Sequence, residues 1–219
     1  MFKYKNVLVY GTSSSGEWAS KLLRKLKANV FLYDDNKNNM DSCKVKGCYI
    51  LPDLNSNFIS QFDYIVLSPA IESTNPFVQM AKSRNIKIFS ELEFASLFCK
   101  KFCAVTGTNG KTTTVQLITA ILNKKYKAIA CGNIGYPVSK AVLLKKKYIK
   151  VMEVSSFMLE NADSFNPQAV TCLNITPDHL IRHKTMEEYT NIKMSIFKNL
   201  DKKSFAVTNL DENIKLNKN

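Results

Sequence analysis

The sequence predicts an α/β fold with mostly parallel sheets covered on both faces by helices. Short runs of β-branched and apolar residues alternate with segments of helical periodicity along the chain. Six of the seven glycines fall in three turns, at positions 11 and 16, 107 and 110, and 132 and 135, close to the ends of predicted strands. Open parallel sheets bind ligands at the carboxyl ends of their strands, so these turns are the first places to look for a site.

The first predicted unit opens with a βαβ pattern. A strand at 6–10, a turn at 11–16 and a helix lead to a strand at 30–33 that ends at Asp34-Asp35. The turn lacks the G-x-G-x-x-G spacing, so dinucleotide binding and a plain α/β turn remain alternatives. The next predicted elements are a strand at 64–67, a loop at 68–71, a helix at 76–83 and a strand at 86–89.

A phosphate-binding loop is predicted at residues 107–113. An apolar strand enters it, and a helix with Val115, Ile118 and Ile121 or Leu122 on one face leaves it. Glycines let backbone N–H groups approach an anion, and Lys111 adds a full positive charge, while Thr112 offers a hydroxyl to a magnesium ion. Only two residues separate the glycines, fewer than in G-x-x-x-x-G-K-[ST]. The alternative is a chance Gly-Lys turn that caps an ordinary helix.

The second predicted unit continues the alternation of strands and helices. Its elements are strands at 128–131, 149–154, 169–175 and 205–208, with helices at 138–144 and from about Met186 to Leu200. A short helix and the Lys100-Lys101 pair separate the two units, which predicts domains at residues 1–98 and 99–219.

Composition excludes several classes of function. The 219 residues carry a formal charge of +13, but 28 of the 31 basic residues are lysines in short runs on predicted helix ends and loops, which is not typical of nucleic-acid binding. No apolar run approaches the roughly 20 residues of a membrane span, so we expect a cytoplasmic protein without membrane insertion. The six cysteines form no C-x-x-C pair, which predicts free thiols.

Four further side chains are candidates for positions beside the phosphate loop. Glu153 near the end of a strand could hold magnesium directly or through water, or it could pair with a lysine. His179 and His183 have the i, i+4 spacing of a zinc pair, but there is no H-E-x-x-H motif and no suitable third ligand. We expect one histidine near a magnesium-phosphate centre and the other to cap or pack. Lys193 by itself is typical of a surface lysine.

Four segments together resemble the Mur ligases of peptidoglycan synthesis. They are residues 107–113, 132–135, 153–160 and 174–183, in the family's order, and the Ser155-Ser156-Phe157 run points to the member that adds D-glutamate. The resemblance implies a Rossmann-like N-terminal domain that holds the uridine nucleotide, followed by an incomplete P-loop-type ATPase domain. It also implies an ATP-dependent amide ligase.

The implied reaction activates a carboxylate. ATP would phosphorylate the alanine carboxylate of UDP-N-acetylmuramoyl-L-alanine, and the amine of D-glutamate would displace phosphate from the acyl phosphate. Catalysis then consists of positioning and of neutralising phosphate charge, with two magnesium ions and Lys111 supplying the positive charge.

The resemblance also assigns roles to residues. The catalytic group is Lys111, His179 and Lys193. ATP would contact Gly107, Thr108, Asn109, Gly110, Lys111, Thr112 and Thr113. One magnesium would be held by Thr112 and Glu153, and the other by His179 and a carbamylated Lys193. Substrate contacts would come from Ser14, Ser15, Asp35, Ser68, Ala70, Asn133, Ser155 and His179.

The chain departs from the family pattern in three places. Ala70 and Ile181 stand where the family usually has glycine and aspartate, and the chain ends soon after Asn209-Leu210-Asp211, where an adenine-side motif would begin. One alternative is therefore an incomplete nucleotide-binding remnant, or a split subunit completed by a separate C-terminal polypeptide. Others are another Mur or folylpolyglutamate-type ligase and a simple P-loop phosphotransferase.

Overall fold

The computed structural model describes residues 1–43 and 45–208. Within these residues, ten strands form two five-stranded sheets in which all neighbouring strands are parallel. The predicted α/β class is confirmed. Residues 209–211, where the sequence suggested an adenine-side motif, lie outside the described residues. In the described part, no helix combines the length and apolar character needed to cross a membrane.

The first sheet has the strand order β3-β2-β1-β4-β5. Its strands are Asn6–Tyr10 (β1), Asn29–Tyr33 (β2), Tyr49–Ile50 (β3), Tyr64–Leu67 (β4) and Lys87–Ser90 (β5). The helices of this part are Ser14–Lys25 (α1), Lys37–Ser42 (α2) and Pro76–Ser83 (α3), with a 3-10 helix at Ser56–Gln61. Helix α1 crosses between β1 and β2, as the βαβ pattern predicted.

The second sheet has the strand order β10-β9-β6-β8-β7. Its strands are Phe102–Thr106 (β6), Ala128–Gly132 (β7), Ile149–Glu153 (β8), Ala169–Cys172 (β9) and Phe205–Thr208 (β10). Helix Glu91–Ser96 (α4) precedes it, and the others are Lys111–Leu122 (α5), Val138–Leu144 (α6), Ser156–Leu159 (α7), Leu180–His183 (α8) and Met186–Met194 (α9), with a 3-10 turn at Ser195–Phe197.

Two element ends were predicted wrongly by several residues. Strand β9 ends at Cys172 and not at residue 175, because the backbone after it turns to bond the phosphate loop, with the Thr108 N–H donating to the Asn174 carbonyl at 2.9 Å. The last long helix ends at Met194, and a 3-10 turn follows. On α5, Val115 is fully buried and Ile118 and Leu122 pack against the same apolar cluster, whereas Ile121 is 61% exposed, so Leu122 and not Ile121 completes the predicted apolar face.

Helices α1, α4 and α6 form a layer between the two sheets. Leu23 of α1, Phe94 of α4 and Val138 of α6 are all fully buried in one continuous core. Polar contacts reinforce this layer: the Glu91 carboxylate accepts the Ser139 N–H at 2.7 Å. Burial raises the pKa of Glu91. Both sheets therefore pack against one shared helical layer.

All six cysteines are free thiols, as predicted. Cys131 and Cys172 are buried, and the remaining four are partly buried. Burial is the main cause that raises the pKa of each of these thiols. Because the thiolate is the reactive form, the fold keeps these groups chemically quiet.

Candidate functional site

The glycine loop after β6 has the backbone shape of an anion site. Gly110 is the N-cap of α5 with φ +81°, a conformation that favours glycine, and Lys111 begins the helix. The Asn109 N–H donates to the Asn174 side-chain oxygen at 2.9 Å, and the Asn174 amide donates to the Asn109 carbonyl at 3.1 Å. The loop is thus fixed from the end of the neighbouring strand β9.

Thr108 makes a second anchor for the loop. Its hydroxyl donates to the Thr176 carbonyl at 3.1 Å and accepts the Thr176 N–H at 3.0 Å, and it lies 3.2 Å from the Tyr189 hydroxyl. Sequence reasoning missed the supporting roles of Asn174, Thr176 and Tyr189. Their proximity depends on β9 neighbouring β6, which is a property of strand order and not of local sequence.

Glu153, Thr112 and Asn133 come together beside the loop. The Thr112 hydroxyl donates to one Glu153 carboxylate oxygen at 2.6 Å, and the Asn133 amide donates to the other at 2.9 Å. Gly132 makes this possible, because a Cβ there would lie 2.2 Å from the Glu153 carbonyl oxygen. The two candidate magnesium ligands of the first site, Thr112 and Glu153, are therefore adjacent, and no lysine within residues 1–43 and 45–208 forms an ion pair with Glu153.

Two lysine ammonium groups converge on the Gly107 carbonyl. Lys111 donates to it at 2.9 Å and to the Thr108 carbonyl at 2.7 Å, and Lys193 donates to it at 2.9 Å. Lys193 is 2% exposed, and its ammonium lies 4.7 Å from the centre of the Tyr189 ring. Desolvation, followed by repulsion from Lys111, lowers the pKa of Lys193 to about 8. Lys193 is not the surface lysine that it resembles in sequence.

Only one of the two histidines lies within α8, although both rings contact Phe157. His179 precedes α8 in the left-handed region with φ +53°, and its ring lies 3.3 Å from the Asp178 carboxylate and 4.8 Å from the Phe157 ring centre. His183 is buried, and its Nε2 lies 2.9 Å from the Ser156 hydroxyl. Burial lowers the pKa of His183. His183 is therefore part of the packed interior. His179 has a half-exposed side chain and lies three residues after Thr176, which bonds the phosphate loop.

Five of the predicted substrate residues line one cavity of about 280 Å³ between the two sheets. They are Ser14, Ser15, Ser68, Ala70 and Asn133. Asn133 is shared, since it also donates to Glu153. Ser155 follows β8, and its buried hydroxyl has no hydrogen-bond partner among the described residues. An orphaned buried hydroxyl at this position is available to a ligand.

Asp35 lies apart from that cavity. It lines a second cavity of about 500 Å³ at the end of β2, together with Tyr33 and Leu51. Its carboxylate accepts the Tyr10 hydroxyl at 2.7 Å. Burial, and after it this hydrogen bond, raises the pKa of Tyr10. The predicted substrate residues of the first sheet therefore follow three neighbouring strands, β2, β1 and β4, and Asp35 after β2 lies apart from the others.

A largely buried ion pair connects the loop after β4, in the first sheet, to the segment after β9, in the second sheet. Arg182 donates from Nε and Nη2 to the two oxygens of Glu160, at 2.7 and 2.8 Å. Glu160 also accepts the Ser73 N–H at 3.3 Å, and Arg182 reaches the Ile71 carbonyl at 3.4 Å. We call this group, Glu160 and Arg182 with Ile71 and Ser73, the clasp. It ties the loop after β4 to the segment that carries His179.

The donor set fits magnesium better than zinc. Among residues 1–43 and 45–208, no three His, Cys, Asp or Glu side chains gather in a way that could hold a metal ion. Magnesium is commonly bound by one or two protein oxygens together with phosphate and water. The adjacent Thr112 hydroxyl and Glu153 carboxylate, at the mouth of an anion-binding loop, match that pattern.

Comparison with known proteins gives consistent matches. A family model described as Mur ligase middle domain matches residues 105–219. The chain is 38% identical to a UDP-N-acetylmuramoylalanine--D-glutamate ligase of Caldicellulosiruptor bescii, over 97% of this chain and 49% of that protein. For the protein of the same name from Lachnoclostridium phytofermentans, the identity is 40%, over 96% of this chain and 49% of that protein. The chain thus spans about half the length of these relatives.

A solved structure supports the fold. The UDP-N-acetylmuramate:L-alanyl-gamma-D-glutamyl-meso-diaminopimelate ligase from Neisseria meningitides matches 95% of this chain and 72% of its own, with a TM-score of 0.58 and 14% identity. At this identity the likeness concerns the fold alone.

Proposed function

The chain belongs to the Mur ligase family, and from that premise we propose that it carries the substrate and ATP sites of a ligase that adds D-glutamate to UDP-N-acetylmuramoyl-L-alanine. The observation that carries the proposal is the position of Asn133, which lines the cavity between the sheets and also donates to Glu153 beside the phosphate loop. A substrate carboxylate in that cavity lies next to the groups that hold the ATP phosphates.

The phosphate loop supplies positioning and positive charge for ATP. The backbone N–H groups of residues 110–113, at the N-terminus of α5, face the phosphates, and Lys111 exchanges its two loop carbonyls for phosphate oxygens. Transfer of the terminal phosphoryl group to the substrate carboxylate converts a poor electrophile into an acyl phosphate with a good leaving group. The amine of D-glutamate then displaces phosphate and forms the amide bond.

Magnesium, when bound, neutralises charge that develops on the transferred phosphoryl group. Thr112 and Glu153 would hold the first ion, and His179 with a carbamylated Lys193 would hold the second. Carbamylation needs a neutral amine, which attacks CO₂ and loses a proton to water. Burial of Lys193 supplies the neutral amine near pH 8, because the pKa of Lys193 is lowered to about 8.

The remaining assignments follow the two sheets. Ser14, Ser15, Ser68 and Ala70 contact the UDP part, with Asp35 at the end of β2, and Ser155 contacts substrate or nucleotide. We place the boundary between a substrate domain and an ATP domain after residue 98, in the segment between β5 and β6. A reaction that consumes ATP and a nucleotide-linked precursor also fits the cytoplasm.

A second candidate function is nucleotide binding without ligation. The chain spans about half the length of its relatives, and its described residues form the cavity between the sheets and the phosphate loop, so binding of both nucleotides is the part of the reaction that these residues support directly. The alternative differs from the first proposal in one observable, namely turnover that depends on D-glutamate.

The test measures binding and turnover separately. Calorimetric titration with Mg-ATP and with UDP-N-acetylmuramoyl-L-alanine should detect both ligands, and Lys111→Ala should weaken Mg-ATP binding at least about tenfold while substrate binding is retained. Equal loss of both would indicate misfolding. Phosphate release with bicarbonate that requires D-glutamate supports the full ligase; binding without release supports the second function; and absence of both kinds of binding contradicts the proposal.

A further inference from the structure

The region between Glu93 and Glu153 is strongly basic, with eleven lysines and no acidic residue. Eight of these lysines precede strands β6, β7 and β8, which lie side by side in the second sheet in the order β6-β8-β7. We call these eight residues the lysine edge: Lys100, Lys101, Lys124, Lys125, Lys127, Lys145, Lys146 and Lys147.

The lysine edge is continuous in space. The Lys127 carbonyl accepts the Ile149 N–H at 2.8 Å, and the Lys101 carbonyl accepts the Lys150 N–H at 3.2 Å. All eight lysines are exposed. Since the strands are parallel, the lysine edge lies at their amino ends, opposite the phosphate loop at the carboxyl end of β6. Runs that look scattered in sequence thus form one cationic surface.

A buried lysine supports this surface from below. Lys150 is 1% exposed, and its ammonium donates to the carbonyls of Lys145, Lys146 and Tyr148 at 2.9, 3.0 and 2.8 Å. These bonds fix the turn that presents Lys145–Lys147 to solvent. A buried positive charge directly beneath exposed ones also strengthens the local field.

Apolar side chains are interleaved with the lysines. Leu97, Tyr126 and Leu144 are 46%, 52% and 55% exposed, and each lies within three residues of a lysine of the edge. The chain's arginines, at positions 24, 84 and 182, all lie outside the edge. Nucleic-acid interfaces favour arginine for bidentate contacts, whereas lysines mixed with leucine and tyrosine suit a lipid headgroup layer.

We propose that the lysine edge docks the protein on an anionic phospholipid surface. The lysines contact the headgroups, Leu97, Tyr126 and Leu144 enter the headgroup boundary, and the phosphate loop faces away from the membrane. The contact is peripheral and independent of nucleotide binding, so it goes beyond the proposed ligase function. It would hold the enzyme at a membrane surface while leaving the strand ends that bind ligands open to solution.

The test is co-sedimentation of the full chain with vesicles. Binding is expected to vesicles of phosphatidylcholine mixed with phosphatidylglycerol, weak or absent with pure phosphatidylcholine, and lost between about 0.1 M and about 1 M salt. The variant K145Q/K146Q/K147Q should bind at least about tenfold more weakly. The control K21Q/K37Q/K184Q removes the same charge from positions that do not precede a strand and should bind like the native chain.

Folding is checked by circular dichroism, and two more variants keep the test decisive. K145R/K146R/K147R preserves the charge and should retain binding, and K124Q/K125Q/K127Q should reproduce the loss at another part of the edge. Equal binding to neutral vesicles, or an equal loss in the control variant, would overturn the proposal. Tighter binding to duplex DNA than to anionic vesicles at the same salt would assign the edge to nucleic acid and likewise overturn it.

Discussion

Lys193 has a protonation equilibrium that differs from that of a lysine in water. Its ordinary pKa of 10.5 is lowered to about 8 by desolvation and by Lys111. Below pH 8 the folded protein therefore holds a buried charge at a cost to stability. Between pH 8 and 10.5 the unfolded chain binds more protons than the folded one, so the free energy of unfolding rises with pH in this window.

Replacing Lys193 by Met makes this effect measurable. The free energy of unfolding is measured by urea titration in CO₂-free buffer. As the pH rises from 7 to 10, the native chain should become more stable relative to the K193M variant by up to about 3 kcal/mol. Lys198→Met, at an exposed lysine just beyond the same helix, is the control and should keep a nearly constant difference. A constant difference for K193M as well would mean that Lys193 titrates like a solvated lysine.

Alanine substitutions at Gly132 and Gly135 separate the energetic cost of a steric clash from the cost of a strained backbone. Both have positive φ, of +94° and +83°. An added Cβ at Gly132 would lie 2.2 Å from the Glu153 carbonyl oxygen, whereas one at Gly135 has nothing within 4 Å. Gly135→Ala should cost about 1 kcal/mol from the left-handed backbone alone. Gly132→Ala should cost at least about 2 kcal/mol more in urea unfolding and should weaken Mg-ATP binding, because Glu153 must move; equal costs would contradict the close approach.

At the scale of elements, the clasp connects α7 and α8 to the loop after β4. The side chains of Arg182 and Glu160 are 15% and 5% exposed, so removing one partner leaves the other nearly buried and unpaired. Arg182→Met and Glu160→Gln should each cost about 2–4 kcal/mol, and the double variant should cost clearly less than their sum. A double-mutant cycle in urea measures this coupling.

The exposed pair Lys5–Asp63 is the matched control for the clasp. It is also 2.7 Å long, but its side chains are 46% and 33% exposed. Its coupling should be below about 1 kcal/mol. Because the clasp anchors residues 71–73 beside the cavity lined by Ser68 and Ala70, the clasp variants should weaken substrate binding more than Mg-ATP binding. Similar coupling energies in both pairs would show that burial of the clasp does not increase the coupling energy of its ion pair.

Elements were predictable from sequence where burial on both faces imposes a simple pattern. Strands such as β1 and β4 are continuous apolar runs bounded by turns, and their predicted bounds match the structure. The two-residue strand β3 and the polar helix α2 carry no such pattern and were missed. Local signals of two to six polar or exposed residues are too weak to compete with turn and loop alternatives.

The candidate site was predictable in its residue types but not in its mutual arrangement. The glycine loop and Lys111 form a local motif, so the candidate anion site could be proposed from the sequence alone. The burial of Lys193 depends on α9 packing behind the loop, and the left-handed backbone of His179 depends on a turn. Neither property has a local signature, because each is set by contacts between residues far apart in the chain.

At the scale of the whole molecule, the layer of α1, α4 and α6 should make the two sheets unfold together. Trp18, the chain's one tryptophan, lies on α1, and the Lys140 ammonium of α6 lies 5.1 Å from its ring centre. Trp18 fluorescence therefore reports on the shared layer. Far-UV circular dichroism reports on both sheets, so in urea the two signals should give one coincident transition.

A core substitution far from Trp18 tests this coupling. Val115 of α5 is fully buried, in a separate apolar cluster with Val105 and Val151 of the second sheet. Val115→Ala should lower stability by about 2 kcal/mol and should shift the Trp18 fluorescence midpoint as much as the dichroism midpoint. Ile121→Ala, at a residue of the same helix that is 61% exposed, should shift neither by much. If Val115→Ala shifted only part of the dichroism transition and left the Trp18 fluorescence midpoint unchanged, the two sheets would be independent folding units. The contacts of α1 and α4 with α6 would then be too weak to couple the substrate cavity to the phosphate loop.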